Sequence, residues 1–197
     1  DLLVAYNKHK DDPRIPAVRS DMEKEIGKNR YAGVLPRLAQ YELTLLDWAA
    51  EHKGSSQYVT FANKCWPAFQ TEFKFVPCFV NSRLAARGIP VSCEVDIFGA
   101  LSEYIGTCVS NGPVTLLDIN NTVPPDYLKG KKIPYVQHDL FMGFHCGNTC
   151  SSLLCNPHMG YQLIMKRSLE PDGEPDITRG TIEGDIKPGE VTLYRLQ

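Results

Sequence analysis

The hydrophobic pattern of the chain changes character close to Gly112. Before this point, apolar residues recur at helical spacing over residues 31–51, and an alternating run at 57–63 is typical of a strand. Residues 69–87 return to a helical pattern that Pro77 divides, because proline cannot continue a helix. These patterns predict a helix, a strand and a divided helical segment.

A strand, a helix and another strand are predicted next. Short apolar runs at 89–93 and 114–117 are bounded by turn residues, as buried strands of a parallel sheet are. The apolar residues at helical spacing between them are Ile97, Ala100, Leu101, Tyr104 and Ile105. The alternation of helices and strands predicts an α/β fold, with a parallel sheet flanked by helices in a Rossmann-like layer. The charged residues 1–20, with two prolines, predict an irregular connection.

Turns and extended pieces follow Gly112. Residues 120–132 are rich in turn formers, and the later apolar stretches predict strands at 141–145, 161–167, 180–186 and 191–196. A Lys-Pro-Gly-Glu turn at 187–190 predicts that the last two strands form a hairpin. We therefore predict an α/β domain over residues 1–112, followed over 113–197 by the start of an antiparallel β-rich domain.

Composition and charge exclude several classes of protein. The 43% hydrophobic and 22% charged residues are ordinary for a globular protein, and the net charge of -2 gives no basic surface for nucleic acid or an anionic membrane. No apolar run approaches the ~20 residues of a membrane span, and no signal peptide is recognisable. Seven scattered cysteines indicate reduced thiols in a cytoplasmic protein. Because no initiator methionine is present, we expect a fragment.

Two acidic residues follow the predicted strands at 89–93 and 114–117. If these strands are parallel neighbours, Glu94 and Asp118 meet at the sheet edge where α/β folds bind ligands. Carboxylates held close together repel each other, and a divalent metal ion would relieve that repulsion. The alternative is that Glu94 is favoured by the helix dipole and that Asp118 belongs to a turn.

A segment rich in histidine and cysteine runs from His145 to His158. Its spacing allows a tetrahedral zinc site, although adjacent His145 and Cys146 on a strand would point in opposite directions. A thiolate nucleophile at Cys146 or Cys150 is a second possibility. The glycine that precedes Asn148 favours a third, a tight turn that binds a polar ligand.

Trp66 precedes a proline at the end of the strand predicted at 57–63. It is either a core or lid aromatic residue or a pocket wall on which a sugar stacks.

Five stretches of the chain resemble the L-fucose isomerase family, ketol isomerases that share a fold with L-arabinose isomerase. They are Lys64-Cys65-Trp66-Pro67, residues 93–97 with Gly99-Ala100-Leu101, residues 117–122, Phe144-His145-Cys146-Gly147-Asn148, and residues 179–184 with Lys187-Pro188-Gly189. The resemblance implies a cytosolic homo-oligomer, a trimer or hexamer, that requires Mn²⁺ or another divalent cation. It also implies that this piece covers the middle domain and the beginning of the C-terminal domain.

The same resemblance assigns roles to five residues. It implies that Glu94 and Asp118 are the metal-binding catalytic carboxylates, and that His145, Asn148 and Trp66 line the sugar pocket. The family's third metal ligand is a histidine in a later segment, which does not occur before residue 197.

The expected activity is isomerisation of a pentose or 6-deoxyhexose through an ene-diol intermediate. Alternatives are a noncatalytic sugar-binding protein on the same scaffold, a zinc-stabilised module, and a redox or thiol enzyme.

Overall fold

The computed structural model describes residues 1–27, 33–145, 148–161 and 178–196. The α-helices are α1 (Leu2–Lys8), α2 (Ile15–Ile26), α3 (Leu35–His52), α4 (Cys78–Ala86), α5 (Ile97–Ser110) and α6 (Pro125–Leu128). The strands are β1 (Phe61–Ala62), β2 (Val91–Ser92), β3 (Asp118–Asn120), β4 (Met142–Phe144), β5 (Leu154–Tyr161) and β6 (Arg179–Ile186). A π-helical turn (Phe69–Phe73) and two 3-10 turns (Gln137–Asp139 and Ser151–Leu153) complete the list.

The hydrophobic core lies between α1 to α4, the β1–β2 pair and the β5–β6 pair. Leu35 and Leu38 of α3 and Phe79 and Leu84 of α4 are fully buried in one cluster. The cluster also takes Leu154, Met159 and Ile182 from β5 and β6. The predicted domain boundary near Gly112 stays a prediction.

Periodicity located helices α3, α4 and α5 correctly. The helix predicted over 31–51 is α3, and the divided helical segment is the π-helical turn followed by α4, with Pro77 at the N-cap of α4. Helix α5 follows β2, as the apolar spacing predicted. Mixed helices and strands are therefore confirmed. Among the described residues the parallel pairing is limited to the two-stranded β1–β2 pair.

The prediction of an irregular connection at residues 1–20 is wrong. Asp1 caps α1 by accepting a hydrogen bond from the Leu3 N–H, and Pro16 lies in the first turn of α2. Proline is tolerated at that position because the first N–H groups of a helix have no intrahelical partner. Tyr6 and Met22 anchor the two helices in the core.

The second half contains antiparallel pairs, but not the predicted hairpin. Strand β6 agrees with the extended piece predicted at 180–186, yet its partner is β5, and residues 191–196 form no strand. Tyr194 instead donates a hydrogen bond to the Ser102 carbonyl of α5 at 2.6 Å. The strand predicted at 161–167 lies mostly outside the described residues.

Two further observations concern the cysteines and the membrane. The six cysteines that the structure describes are all free thiols. Within the described ranges, no helix has the length and apolar character needed to cross a membrane.

Candidate functional site

The parallel pair β1–β2 creates one edge at which two candidate segments emerge. Phe61 pairs with Val91 and Ala62 with Ser92, and the Asn63 N–H donates to the Ser92 carbonyl at 2.9 Å. Because the strands are parallel, their carboxyl ends lie at the same edge. The residues after β1, which lead to Trp66, and the residues after β2, which lead to Glu94, therefore start from neighbouring backbone positions.

Glu94 lies in a strained turn directly after β2. Its φ is 60° and that of Val95 is 58°, so two consecutive residues with side chains adopt the left-handed conformation. Such conformations cost about 1–3 kcal/mol each and persist when surrounding contacts hold them. Here the Val95 N–H donates to the Asn63 carbonyl at 2.9 Å, and the Asp96 N–H donates to the Cys93 carbonyl at 3.0 Å. The turn leaves Glu94 exposed.

Asp96 and Gly99 fix the start of α5 next to this turn. Asp96 caps the helix by accepting a hydrogen bond from the Gly99 N–H at 2.8 Å. A side chain at Gly99 would be 2.3 Å from Asp96 Oδ2 and 2.7 Å from Leu116 Cδ2. The close approach that glycine permits brings Leu116, two residues before Asp118, against the beginning of α5.

Asp118 begins a strand, whereas the sequence predicted that it follows one. The backbone at 114–117 forms no strand, and Asp118 opens β3, where it pairs with Phe144 of antiparallel β4. Asp118 is exposed. Among the described strands β2 and β3 belong to different two-stranded sheets, so the expected parallel neighbourhood of the strands before Glu94 and Asp118 is absent from them. That the two carboxylates share a cation stays a prediction.

His145 and Asn148 lie next to these strands. His145 follows Phe144 and is half-buried at the end of β4 that pairs with Asp118. Asn148 is buried and donates from Nδ2 to the Val91 carbonyl of β2 at 3.2 Å. Its Oδ1 atom is buried and accepts no hydrogen bond within the described ranges. Asn148 therefore connects the loop after β4 to β2, and its predicted contact with a sugar stays a prediction.

Trp66 is 46% exposed at the β1 end of the edge. Its peptide bond to Pro67 is cis. The observed exposure agrees better with a pocket wall or lid than with a core residue.

Glu103 is the residue of this region that sequence reasoning missed. It is 5% exposed on the inner face of α5, where its carboxylate accepts a hydrogen bond from the Ser92 hydroxyl and lies near the Leu116 N–H. Burial raises the pKa of Glu103 above its usual value, while the Ser92 hydrogen bond, the charge of His145 and the Leu116 N–H oppose that rise. One buried carboxyl group thus contacts or faces three segments of the candidate site.

The feature of the sequence that indicates the burial of Glu103 is a stripe of small residues along α5. The buried positions of α5 are Gly99, Ala100, Glu103, Gly106 and Thr107. The apolar residues Ile97, Phe98 and Leu101 are exposed, although their spacing predicted that some of them pack inward. Small residues allow close approach of a helix to its neighbours, and Glu103 lies in that stripe.

The zinc and thiol alternatives find no support in the described residues. No three of His145, Cys150, Cys155 and His158 bring ligand atoms together. Cys150 is fully buried with its Sγ 3.0 Å from the Ser152 hydroxyl. Cys146 lies outside the described residues.

The described residues do bring three ligand-type side chains together elsewhere, at His9, Asp12 and Asp47. Arg14 already donates to both carboxylates there, with 2.6 Å from Nη2 to Asp12 Oδ2 and 3.0 Å from Nη1 to Asp47 Oδ1. The guanidinium supplies the positive charge that a metal ion would otherwise bring.

Glu94 and Asp118 have the chemistry that a hard divalent cation requires. Both carboxylates are exposed, and neither makes a hydrogen bond or ion pair with another described residue. Carboxylate oxygens are the ligands that Mn²⁺ and Mg²⁺ prefer. The chemistry of these two side chains therefore fits such an ion, and their role as its ligands stays a prediction.

Comparison with known proteins gives relatives of one name. The chain is 28% identical over 200 residues to a sulfoquinovose isomerase of Alkalicoccus urumqiensis, covering all of this chain and 40% of that protein. It is 26% identical over 171 residues to a sulfoquinovose isomerase of Priestia aryabhattai, covering 87% of this chain and 33% of that protein. A sulfoquinovose isomerase of a Clostridium species is 37% identical over 68 residues, covering 32% of this chain and 15% of that protein.

The chain thus spans about two-fifths or less of the length of these relatives. Their names specify a sugar isomerase, and none of the names specifies fucose or arabinose. No protein-family model matches the chain. No solved structure matches it either.

Proposed function

We propose that this chain provides two of the acidic residues of a divalent-metal-dependent aldose–ketose isomerase. The observation that carries the proposal is the similarity to sulfoquinovose isomerases, which extends over the whole chain. The free, exposed carboxylates of Glu94 and Asp118 support it, because isomerisation requires groups that bind a cation and move protons.

Glu94 and Asp118 are proposed as metal ligands and acid/base groups. In aldose–ketose interconversion a carboxylate takes the proton from the carbon next to the carbonyl while the carbonyl oxygen gains a proton, which gives the ene-diol. The proton then returns to the former carbonyl carbon, and the neighbouring hydroxyl loses its proton to become the new carbonyl. When bound, a divalent cation such as Mn²⁺ supplies electrophilic stabilisation of the negative charge on the substrate oxygen. The exposure of both carboxylates leaves them accessible to a sugar.

Three residues are proposed to shape the sugar pocket. Trp66 offers a half-exposed aromatic face at the carboxyl end of β1, which suits stacking on a sugar ring. His145 lies beside the Asp118 end of the β3–β4 pair. Asn148 has a buried Oδ1 atom that accepts no hydrogen bond from the described residues and is free to accept one from a substrate hydroxyl. Its Nδ2 group holds the loop against β2.

The proposed substrate is an aldose, and the names of the relatives place sulfoquinovose first in the panel to be tested. Sulfoquinovose is a 6-deoxyhexose that carries a sulfonate, so it lies within the predicted class of 6-deoxyhexoses while differing from fucose in charge. L-Fucose and L-arabinose complete the panel, because the resemblance from sequence motifs points to them.

The test uses the full-length protein that contains this chain. We expect at least one sugar of the panel to be converted to its ketose, as monitored by NMR, when Mn²⁺ is supplied. Chelation of the metal should abolish this conversion. Glu94→Gln and Asp118→Asn should each lower kcat by about 100- to 10,000-fold, since each removes an acid/base group. Each should also weaken Mn²⁺ binding measured by calorimetry.

Glu72→Gln and Asp126→Asn serve as matched controls, because both acids are exposed on other elements. They should retain activity and metal affinity. Ketose absent for every sugar would contradict the isomerase proposal. Full activity of either test variant would remove that residue from its role.

A further inference from the structure

Glu103 is a buried acidic residue that the proposed chemistry does not use. It is 5% exposed and projects from the inner face of α5, between the two segments that lead to Glu94 and Asp118. Burying a carboxyl group is costly unless hydrogen bonds compensate, so its partners indicate what it does.

The first partner belongs to the Glu94 segment. The Ser92 hydroxyl, which is fully buried in β2, donates a hydrogen bond to Glu103 Oε2. Ser92 lies two residues before Glu94 and pairs with Ala62 of β1. The contact therefore fixes the last residue of β2 before the chain enters the strained turn.

The second partner belongs to the Asp118 segment. The Leu116 N–H, two residues before Asp118, lies near the Glu103 carboxylate and favours its charged form. The backbone at 114–117 belongs to no described strand, so no sheet pairing holds it. The Leu116 side chain also packs against Gly99 of the same helix. Helix α5 thus holds this segment through the apolar contact at Gly99 and through the attraction between the Leu116 N–H and the Glu103 carboxylate.

The third interaction is electrostatic. The charge of His145 acts favourably on the Glu103 carboxylate. His145 follows β4, the strand whose Phe144 pairs with Asp118. The segments that carry Glu94, Asp118 and His145 therefore each contact or face one carboxyl group of α5.

We propose that Glu103 is a positioning residue of this site, whose carboxylate holds the chain segments that end in Glu94 and Asp118 in one arrangement. β2 and β3 belong to different two-stranded sheets, so among the described strands no ladder relates them. Glu103 bridges them instead. This inference rests on the proposed function, because it concerns the same pair of catalytic residues.

The test compares Glu103→Met with Thr107→Val in the full-length protein. Methionine has nearly the length of glutamate but lacks the negative charge and the carboxylate oxygen to which the Ser92 hydroxyl donates. Thr107 is the matched control, because it is buried one turn further along α5 and its side chain makes no hydrogen bond with a described residue. In Glu103→Met we expect kcat and Mn²⁺ affinity to fall about 10- to 100-fold, as supporting residues of metal sites do.

Two readouts separate positioning from general destabilisation. KM for the sugar should change much less than kcat, because displaced acid/base groups affect the transition state most. Hydrogen–deuterium exchange should accelerate in the peptides covering 91–96 and 114–120 and stay unchanged in α3. Thr107→Val should leave all these quantities as in the unsubstituted protein.

Ser92→Ala keeps the test decisive if Glu103→Met does not fold. It removes one hydrogen bond and leaves the carboxylate, so we expect a smaller fall in kcat and faster exchange in 91–96 alone. Unchanged kcat, or unchanged exchange in both peptides, would overturn the inference while the proposed isomerase stands. An inactive unsubstituted protein would contradict the proposed function instead, and exchange and metal affinity would still decide the role of Glu103.

Discussion

The helical layer of residues 1–110 and the segment from 113 to 145 bury their aromatic side chains very differently. Phe75 and Phe79 of the layer are fully buried. Tyr135 is 62% exposed and Phe144 54% exposed in the later segment. Glu94 is therefore attached to a packed scaffold, whereas Asp118 is attached to a thin two-stranded ribbon. The two halves of the proposed site differ in what holds them.

Because of this difference, the position of Asp118 relative to Glu94 depends more on contacts between the two regions than on the stability of either region alone. The ribbon β3–β4 has three paired positions and an exposed β3, and a two-stranded ribbon is marginally stable by itself. Its alignment with Glu94 must come from residues that reach back to the layer. Leu116, which packs against Gly99 of α5, and Asn148, which donates to the Val91 carbonyl of β2, provide such contacts.

The largest predicted effect contrasts an aromatic residue of the layer with one of the ribbon. Phe75 lies in an aromatic cluster, with ring centroids 5.6 Å from Tyr41 and 5.8 Å from Phe69. Phe75→Ala should lower the free energy of unfolding by about 3–5 kcal/mol, because it leaves a cavity. Phe144→Ala on β4 should cost about 1 kcal/mol or less, as cross-strand pairs do.

Urea denaturation of both variants, under identical conditions, measures the contrast. If Phe75→Ala and Phe144→Ala lowered the free energy of unfolding equally, the aromatic side chains of the ribbon would be as well buried as those of the layer. The contrast between the two regions would then be wrong.

An intermediate effect is expected at the contact between the two regions. Gly99→Ala places a methyl group 2.3 Å from Asp96 Oδ2 and 2.7 Å from Leu116 Cδ2, so the cap of α5 or the segment before Asp118 must move. Overpacking of this kind costs about 1–3 kcal/mol.

Gly112→Ala is the control for this substitution, at the other end of the helix, where an added Cβ would meet nothing closer than 3.9 Å. Thermal unfolding of the two variants gives the comparison. A Gly99→Ala protein as stable as the Gly112→Ala protein would show that the contact between α5 and Leu116 is loose.

The sequence predicted helices α3, α4 and α5 better than strand β5, for a physical reason. The apolar residues of a helix such as α3 recur with a period of 3.6 residues, so the buried face can be recognised without knowing which elements it packs against. Strand β5 contains Pro157 within an irregular register, and its sequence predicts no strand. Short strands depend on partners that are distant in the sequence.

Errors at the candidate site have the same origin. The apolar run before Asp118 was interpreted as a strand, but Leu116 and Leu117 are apolar because they pack against Gly99 and Gly143. Glu103 was overlooked because an acidic residue in a helix normally faces solvent. Its burial follows from the small residues around it, which let α5 approach its neighbours closely. Only three-dimensional contacts reveal which of these effects prevails.

The smallest predicted effect concerns the ion pairs that attach α1 to α3 in the layer. His9 donates from Nδ1 to the Ala5 carbonyl and, when protonated, from Nε2 to Asp47 Oδ2, both at 2.9 Å. Partial burial lowers the pKa of His9, but the Ala5 carbonyl, the Asp47 carboxylate and the charge of Asp12 outweigh it, so the pKa lies above 6.5. A raised folded-state pKa means that the folded protein binds the proton more tightly than the unfolded chain.

The stabilising contribution of His9 is therefore fully present below pH ~6.5 and is lost as the pH rises through its folded-state pKa. His9→Gln should lower the free energy of unfolding by about 0.5 kcal/mol at pH 5.5, as partly exposed ion pairs do, and by less at pH 8.5. His52→Gln is the control, since among the described residues His52 hydrogen-bonds a backbone carbonyl and no carboxylate. A His9→Gln cost that grows with pH would reverse the sign and show that neutral, not protonated, His9 stabilises this contact. Because this pair is far weaker than the Phe75 cluster, even its complete loss should leave the layer packed, and the ribbon would remain the region whose placement decides the site.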